Sequence, residues 1–254
     1  RYTSNFSVPT EAFTSDQYTK LLLHCDGSDG GTTFTDSSDT GGGRHTITEN
    51  GDVANSRAQK KVGDSSIAFD GTGDFISIPA SSDWDWSAGD YTIEAWVRPT
   101  SLSSGGSSGE NGTLFNNNSG GTAWGVGFDT SGYVNLWYWD SAGSATEDAT
   151  STSTLSVDTW YHIAIVHSST NILVFVDGTL ESTTAVVGTP LANSAYNLWL
   201  GKNTSSSYFN GYMDEIRISD TARYTSTFTP STTQFTADAN TLLLIHSDWD
   251  GGLG

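Results

Sequence analysis

The first 31 residues of the chain are written a second time near its end. "RYTSNFSVPTEAFTSDQYTKLLLHCDGSDGG" at 1–31 aligns without a gap on "RYTSTFTPSTTQFTADANTLLLIHSDWDGGL" at 223–253, a constant offset of 222 residues. Phe6 falls on Phe228, Phe13 on Phe235, Asp16 on Asp238, Leu21 and Leu22 on Leu243 and Leu244, His24 on His246, and Asp26 on Asp248. A period this long exceeds the short units of solenoids and reads as an array of similar modules. The expected division is a connector over 1–19, one body over 20–219, a connector over 220–241 and, over 242–254, the first strand of a following module. In such an array 242–246 stands apart from this body's own first strand around Leu21 to His24. Three alternatives remain: a closing strand within the same body, donation of that strand to a neighbouring subunit, or a single domain whose terminal strands share one pattern.

Between the two copies the chain alternates short apolar runs with turn residues. "YTIEAWVRP" carries Tyr91, Ile93, Ala95 and Val97 on one face and Thr92, Glu94, Trp96 and Arg98 on the other, which is the signature of a strand. "SSIAF" and "FISIP" are expected to pair as strands across "DGTGD". "WYHIAIVH" and "NILVFVDG" flank "SSTN" as a hairpin with a four-residue loop. Both of its arms are apolar on both faces and belong centrally in packed sheets. With 28 glycines, few prolines and abundant Ser, Thr and Asp between the runs, the texture is that of many strands and many turns. No helix of useful length is predicted. About a dozen strands point to an all-β, two-sheet antiparallel β-sandwich of jelly-roll type.

Charge and composition exclude several roles. The net charge is −19, with 29 acidic against 10 basic residues, and no Lys/Arg cluster is long enough to track a phosphate backbone, so nucleic acid is not an expected partner. No run of about 18 apolar residues exists to insert in a membrane as a helix. The acidic surface attracts divalent cations and aids solubility. Cys25 is the sole cysteine and is matched by Ser247 in the second copy, which suits a small buried residue without redox chemistry. Glycosidases built on such sandwiches place two carboxylates about 5–5.5 Å apart in retaining mechanisms. No E-x-D-x-E run occurs, Asp214 and Glu215 are expected on opposite strand faces, and His24, His162 and His167 lie beside no nucleophile with a base. Catalysis is not expected.

The succession "LLLHCDGSDGG", "TDSS", "IAFDGTGDFISIP", "YTIEAWVRP", "TWYHIAIVH", "VFVDG" and "GYMDEIRIS" resembles laminin-G-like, concanavalin A-like jelly-roll modules over almost all of residues 20–219. The connector "ISDTARYTSTFTP" is similar, more loosely, to spacers in structural and appendage proteins of phages and other viruses. The resemblance implies a structural calcium ion near Asp26, the turn from Gly71 to Gly73, and Asp214. Calcium suits carbonyl and carboxylate oxygens in flexible geometry. The competing role for Asp26 and Asp214 is turn capping.

A binding surface is expected on "YVNLWYWD". Val134, Leu136 and Tyr138 supply a core face, which leaves Asn135, Trp137 and Trp139 on the other, two indoles for stacking and an amide for hydroxyls. Trp199 with Asn197, and Trp84 with Trp86, repeat the theme. The competing role is ordinary packing beneath loops. The combined expectation is a non-catalytic adhesion module that binds a glycan or cell-surface ligand in an extracellular or virion-surface protein. The alternative is a structural spacer whose partners are neighbouring copies or modules.

Overall fold

The computed structural model describes residues 22–24, 29–36, 45–82, 89–102, 112–117, 124–139, 145–186, 195–203, 207–236, 238 and 241–246. Its strands are β1 (Leu22–His24), β2 (Thr35–Asp36), β3 (Thr48–Asn50), β4 (Ala54–Ser56), β5 (Ser66–Asp70), β6 (Phe75–Ile78), β7 (Tyr91–Pro99), β8 (Phe115–Asn117) and β9 (Trp124–Phe128). They continue as β10 (Tyr133–Trp139), β11 (Ala145–Thr154), β12 (Tyr161–Ser168), β13 (Asn171–Val176), β14 (Thr179–Ala185), β15 (Leu198–Leu200), β16 (Asn210–Ser219) and β17 (Thr241–His246). No α-helix occurs among the described residues. A ten-stranded sheet runs β14-β13-β12-β7-β16-β17-β1-β2, with β4 and β5 attached beside β16, and a seven-stranded sheet runs β11-β10-β9-β8-β15-β6-β3. The two sheets, antiparallel except for the β1–β17 pair, form the expected sandwich.

Alternation decides which side chains meet between the sheets. Ile93, Ala95 and Val97 of β7, Ile163 and Ile165 of β12, and Ile172, Val174 and Val176 of β13 face Val126, Val134, Leu136, Leu198 and Leu200 of the other sheet in one core. The intervening apolar residues, Ala164, Val166, Leu173 and Phe175, form a second cluster on the opposite side of the ten-stranded sheet. That is why β12 and β13 are apolar on both faces. The second cluster is covered by Ala222, Tyr224 and Phe228, part of a strap (221–236) that leaves the end of β16 and crosses this outer face.

Glu94 organises the strap. Its side chain is 1% exposed and receives Arg217 Nε at 2.8 Å and the Tyr224 hydroxyl at 2.9 Å, with His162 Nε2 at 3.2 Å. Farther along, the Phe235 ring lies under the Arg217 guanidinium, 4.1 Å from its carbon, and the Phe235 N–H donates to Glu215 at 2.5 Å. The Trp96 indole N–H donates to the Ser231 carbonyl at 3.2 Å. Arg223 then closes a fork on Asp238 at 2.7 and 2.8 Å and donates to Thr241 at 3.0 Å. The strap backbone approaches Gly178 so closely that a Cβ there would lie 2.0 Å from the Phe228 carbonyl oxygen; only glycine fits.

Four sequence expectations are corrected. The segment 242–246 does not stand apart from this body: β17 pairs antiparallel with β16 (Ile216 with Ile245) and parallel with β1 (Leu22 with Leu244). Leu243 and Leu244 are buried there. An open, apolar edge on β16 is costly, and the segment carries the pattern that closes it. "SSIAF" and "FISIP" do not pair with one another; β5 bonds to β4 and β16, β6 to β3 and β15, so the glycine turn is a corner between sheets. The β12–β13 connection is a two-residue turn, since Ser168 faces Asn171, with Ser169 at φ 58°. Finally, a bulge at Asp214–Arg217, with Glu215 at φ 48°, breaks the alternation. Asp214 is paired with the strap-facing Trp96 while Glu215 bonds the strap, so both carboxylates lie on the same side.

Burial alone would raise the Glu94 carboxyl, but the His162 hydrogen bond and the Arg217 charge outweigh it and hold it below its ordinary value of 4.5. A carboxyl depressed by folding contributes stability that is present above its unfolded pKa and lost as pH falls through the folded value. Glu94→Gln should therefore cost about 3–5 kcal/mol near neutrality, as the loss of one partner from a buried ion network does. Below pH 4.5 the wild type should lose its advantage, so that urea midpoints of the two proteins converge on acidification. A constant gap across that range would show that Glu94 contributes no charge-dependent stability.

Candidate functional site

The outer side of the seven-stranded sheet carries the residues suited to a ligand. Val134, Leu136 and Tyr138 of β10 are buried in the core. Asn135 and Trp137 alternate with them and are half-buried on the other face, as their spacing predicts. The side chain of Trp139, together with Trp84 and Trp86, lies outside the described residues. Asn197 is committed to structure, accepting from the Ala80 N–H at 3.0 Å and donating to Ser77 Oγ at 3.3 Å.

Strand register builds a row across this face. Trp137 pairs with Gly125, Gly125 with Asn116, Asn116 with Trp199, and Trp199 with Ser77. Trp199 is half-buried between the fully buried Leu198 and Leu200. Three strand spacings of about 4.8 Å separate the two indole-bearing positions by about 14 Å. The Trp137 ring lies over Gly125, where an added Cβ would meet it at 2.1 Å. At the Trp199 end, the ring packs on Phe75 at 5.9 Å, and Lys202 Nζ sits 4.9 Å from the indole, 4.2 Å from Phe75 and 5.6 Å from Tyr208.

Asn116, between the indoles, is the residue that sequence reasoning missed. It is fully buried, and neither its Oδ1 nor its Nδ2 has a hydrogen-bond partner among the described residues. An unmade bond at a buried amide costs about 1–3 kcal/mol. Its signal was its place in "LFNNN", one residue past the core Phe115, but nothing in that run says which Asn faces outward. Asn117, the next residue, donates to the Tyr196 carbonyl at 3.0 Å.

The residues expected to hold calcium do not all meet. Asp26 lies outside the described residues. Gly71 (φ 84°) and Gly73 (φ 89°) form the corner between β5 and β6. Asp214 accepts the Lys61 and Val62 N–H groups, each at 2.9 Å. It lies four residues along β16 from Asn210, the partner of Asp70, or about 13 Å of strand from the corner. The corner instead gathers Asp52, Asp70 and Asp74, with one carboxylate oxygen of each within 4.8 Å of the others. The Asp74 oxygens accept the N–H groups of Asp52 and Asp70 at 2.8 and 2.9 Å. Burial pushes the Asp74 carboxyl up against these two donors. A depression of about 350 Å³ here is also lined by Thr100, Asn210 and Tyr212.

The Laminin_G_3 family model, described as the concanavalin A-like lectin/glucanases superfamily, matches residues 70–227, more than half of the chain. The chain belongs to this family. No curated protein sequence matches it. Among solved structures, the binding domain of Paraclostridial Mosquitocidal Protein 1 is similar at TM-score 0.58 and 16% identity, over 76% of this chain and 47% of that one. Domain 4 of AbnA, a GH43 extracellular arabinanase from Geobacillus stearothermophilus in complex with arabinotriose, is similar at TM-score 0.53 and 20% identity, over 74% and 87%. Botulinum neurotoxin type C, whose cell entry depends on interaction with two ganglioside molecules, is similar at TM-score 0.55 and 12% identity, over 76% and 46%. The chain spans about half the length of the two toxin structures. At these identities the likeness is one of fold.

Gly125→Ala tests the row. The new methyl and the Trp137 ring cannot share the space, so the indole must swing away and overpacking should cost about 1–3 kcal/mol. Tryptophan fluorescence should shift toward that of a solvated indole. An unchanged spectrum and an unchanged melting curve would mean that the ring does not rest on Gly125.

Proposed function

We propose that the chain is a non-catalytic glycan-binding module and that the ligand lies along the Trp137–Gly125–Asn116–Trp199 row. The observation that carries this reading is Asn116, a buried amide with unmade hydrogen bonds flanked by two half-buried indoles. Sugars present apolar C–H faces and hydroxyl edges, and stacking surfaces with a few placed polar groups are what recognise them. Fold alone does not choose between lectin, enzyme and scaffold. The arabinanase domain bound to arabinotriose and the ganglioside-dependent toxin support a saccharide ligand. An extracellular setting and an adhesive role belong to the same proposal.

The carboxylates of β7 and β16 lie on the other sheet and are engaged there. Glu94 is enclosed by Arg217, His162 and Tyr224 under the strap. Asp214 and Glu215 each accept backbone N–H groups. A general acid and a nucleophile flanking one glycosidic bond are not found among these three.

Two variants test the site. Asn116→Ala removes an amide that has no hydrogen-bond partner among the described residues, so stability should stay level or rise by about 1 kcal/mol, while retention on an arabinan or ganglioside surface falls. Trp137→Ala should likewise abolish retention. Loss of folding in both, with no ligand bound by the wild type on a broad glycan array, would overturn the reading. A calcium ion at the corner is a separate part of the proposal, with the Gly71 and Gly73 carbonyls as donors. Binding to the folded state alone would raise melting in calcium relative to chelator; equal melting removes the ion from the account.

A further inference from the structure

The side chains that fasten the strap and β17 to the body recur in residues 1–24. Arg223, Tyr224, Phe228, Phe235, Asp238, Thr241, Leu243 and Leu244 correspond at the 222-residue offset to Arg1, Tyr2, Phe6, Phe13, Asp16, Thr19, Leu21 and Leu22. Each of the eight has a defined anchoring role. Arg223, Asp238 and Thr241 hold one another within the segment, and Arg223 Nε donates to Ser219 Oγ of β16 at 2.6 Å. Tyr224 reaches Glu94, and Phe228 lies on Phe175 at 5.4 Å. Phe235 sits under Arg217, and the two leucines are buried beside β16. Thr229 and Thr233, which the first copy replaces with Ser7 and Glu11, are exposed.

We propose that the groove over β7, β12, β13 and β16 is a docking site for residues 1–19 of a second copy of this chain, the segment that precedes the β1 strand paired with β17 and β2 in that copy's own body. Residues 1–19 carry the Arg, Tyr, both Phe, the Asp and the Thr at the same spacing, with Asn5 where Thr227 accepts the Leu180 N–H at 3.2 Å, so they can make the Glu94, Phe175 and Arg217 contacts in place of the strap. Such an exchange joins the front of one copy to the body of another, a head-to-tail contact that propagates rather than closes. In a chain with its own strap in place, the tethered segment holds an effective concentration of the order of mM. Docking between copies therefore requires a loosened strap.

The test uses the full chain. Arg223→Ala with Phe228→Ala removes the fork and the Phe175 contact from the strap but leaves residues 1–19 intact. This variant should self-associate with rising concentration in sedimentation velocity, and adding Arg1→Ala with Phe6→Ala should return it to monomer. A fluorescein-labelled peptide of residues 1–19 should bind the strap-loosened chain about tenfold more tightly than the same peptide with Arg1→Ala, the loss of one charged hydrogen bond. Arg223→Ala alone, which keeps the aromatic contacts, carries the same measurements if the double variant does not fold. A folded, strap-loosened chain that stays monomeric and ignores the peptide overturns the proposal. So does association that persists after Arg1 and Phe6 are removed, and so does filling of the groove by the chain's own first segment without any oligomer.

Discussion

A single carboxylate under the strap fixes how this sandwich is closed. Burying Glu94 is tolerable only because a guanidinium, an imidazole and a phenol converge on it, and these come from β16, β12 and the strap. The ion cluster therefore ties β12 and the contiguous β16 and strap to one point on β7. Once Tyr224 is held there, Phe228 stacks on it with ring centroids 3.6 Å apart and drops onto Phe175. The outer face of β12 and β13 then becomes a second, thin core. Hydrophobic burial supplies the area and the buried charge supplies the register.

That arrangement assigns different work to the two sheets. The ten-stranded sheet spends its outer face on the strap, so its aromatic rings are packing residues. The seven-stranded sheet turns two indoles, an amide and two glycines of β9 outward. Glycines at Gly125 and Gly127 remove bulk from the middle of that face, and a Cβ at either would collide with its neighbours. The spacing of the two ring-bearing positions along this row follows from register rather than from any one residue. The row's aromatic end is held by Lys202 over three rings, a cation–π cluster that fixes ring orientation without closing the face.

Much of the fold was legible because alternation is local. "YTIEAWVRP" and "YVNLWYWD" told which side chains would be core, and β12 and β13 declared their double burial. What was not legible depends on partners distant in sequence. The turn from Gly71 to Gly73 has the composition of a hairpin, but Asp74 accepting the Asp52 N–H pulls it into a corner, and no local rule contains Asp52. The Asp214–Glu215 bulge is likewise invisible until β7 is laid beside β16. Asn116 became a site residue only through its register with Gly125 and Trp199. Trp137 and Asn135 were found because their signal was a strand's own period.

The terminal repeat shows the same limit from the other direction. Sequence alone makes 223–246 the beginning of something else, whereas in the folded chain it finishes this body. Both descriptions hold if one segment type serves as the closing piece wherever a Glu94-like groove is open. Nothing in the chemistry distinguishes a strap supplied by the same chain from one supplied by another, because the groove reads side chains and spacing, not connectivity. Connectivity enters only as effective concentration. The proposed ligand face lies on the opposite sheet, so occupancy of the groove does not obstruct it. Binding and architecture, opposed as readings of the sequence, are compatible as uses of the two outer faces of one sandwich.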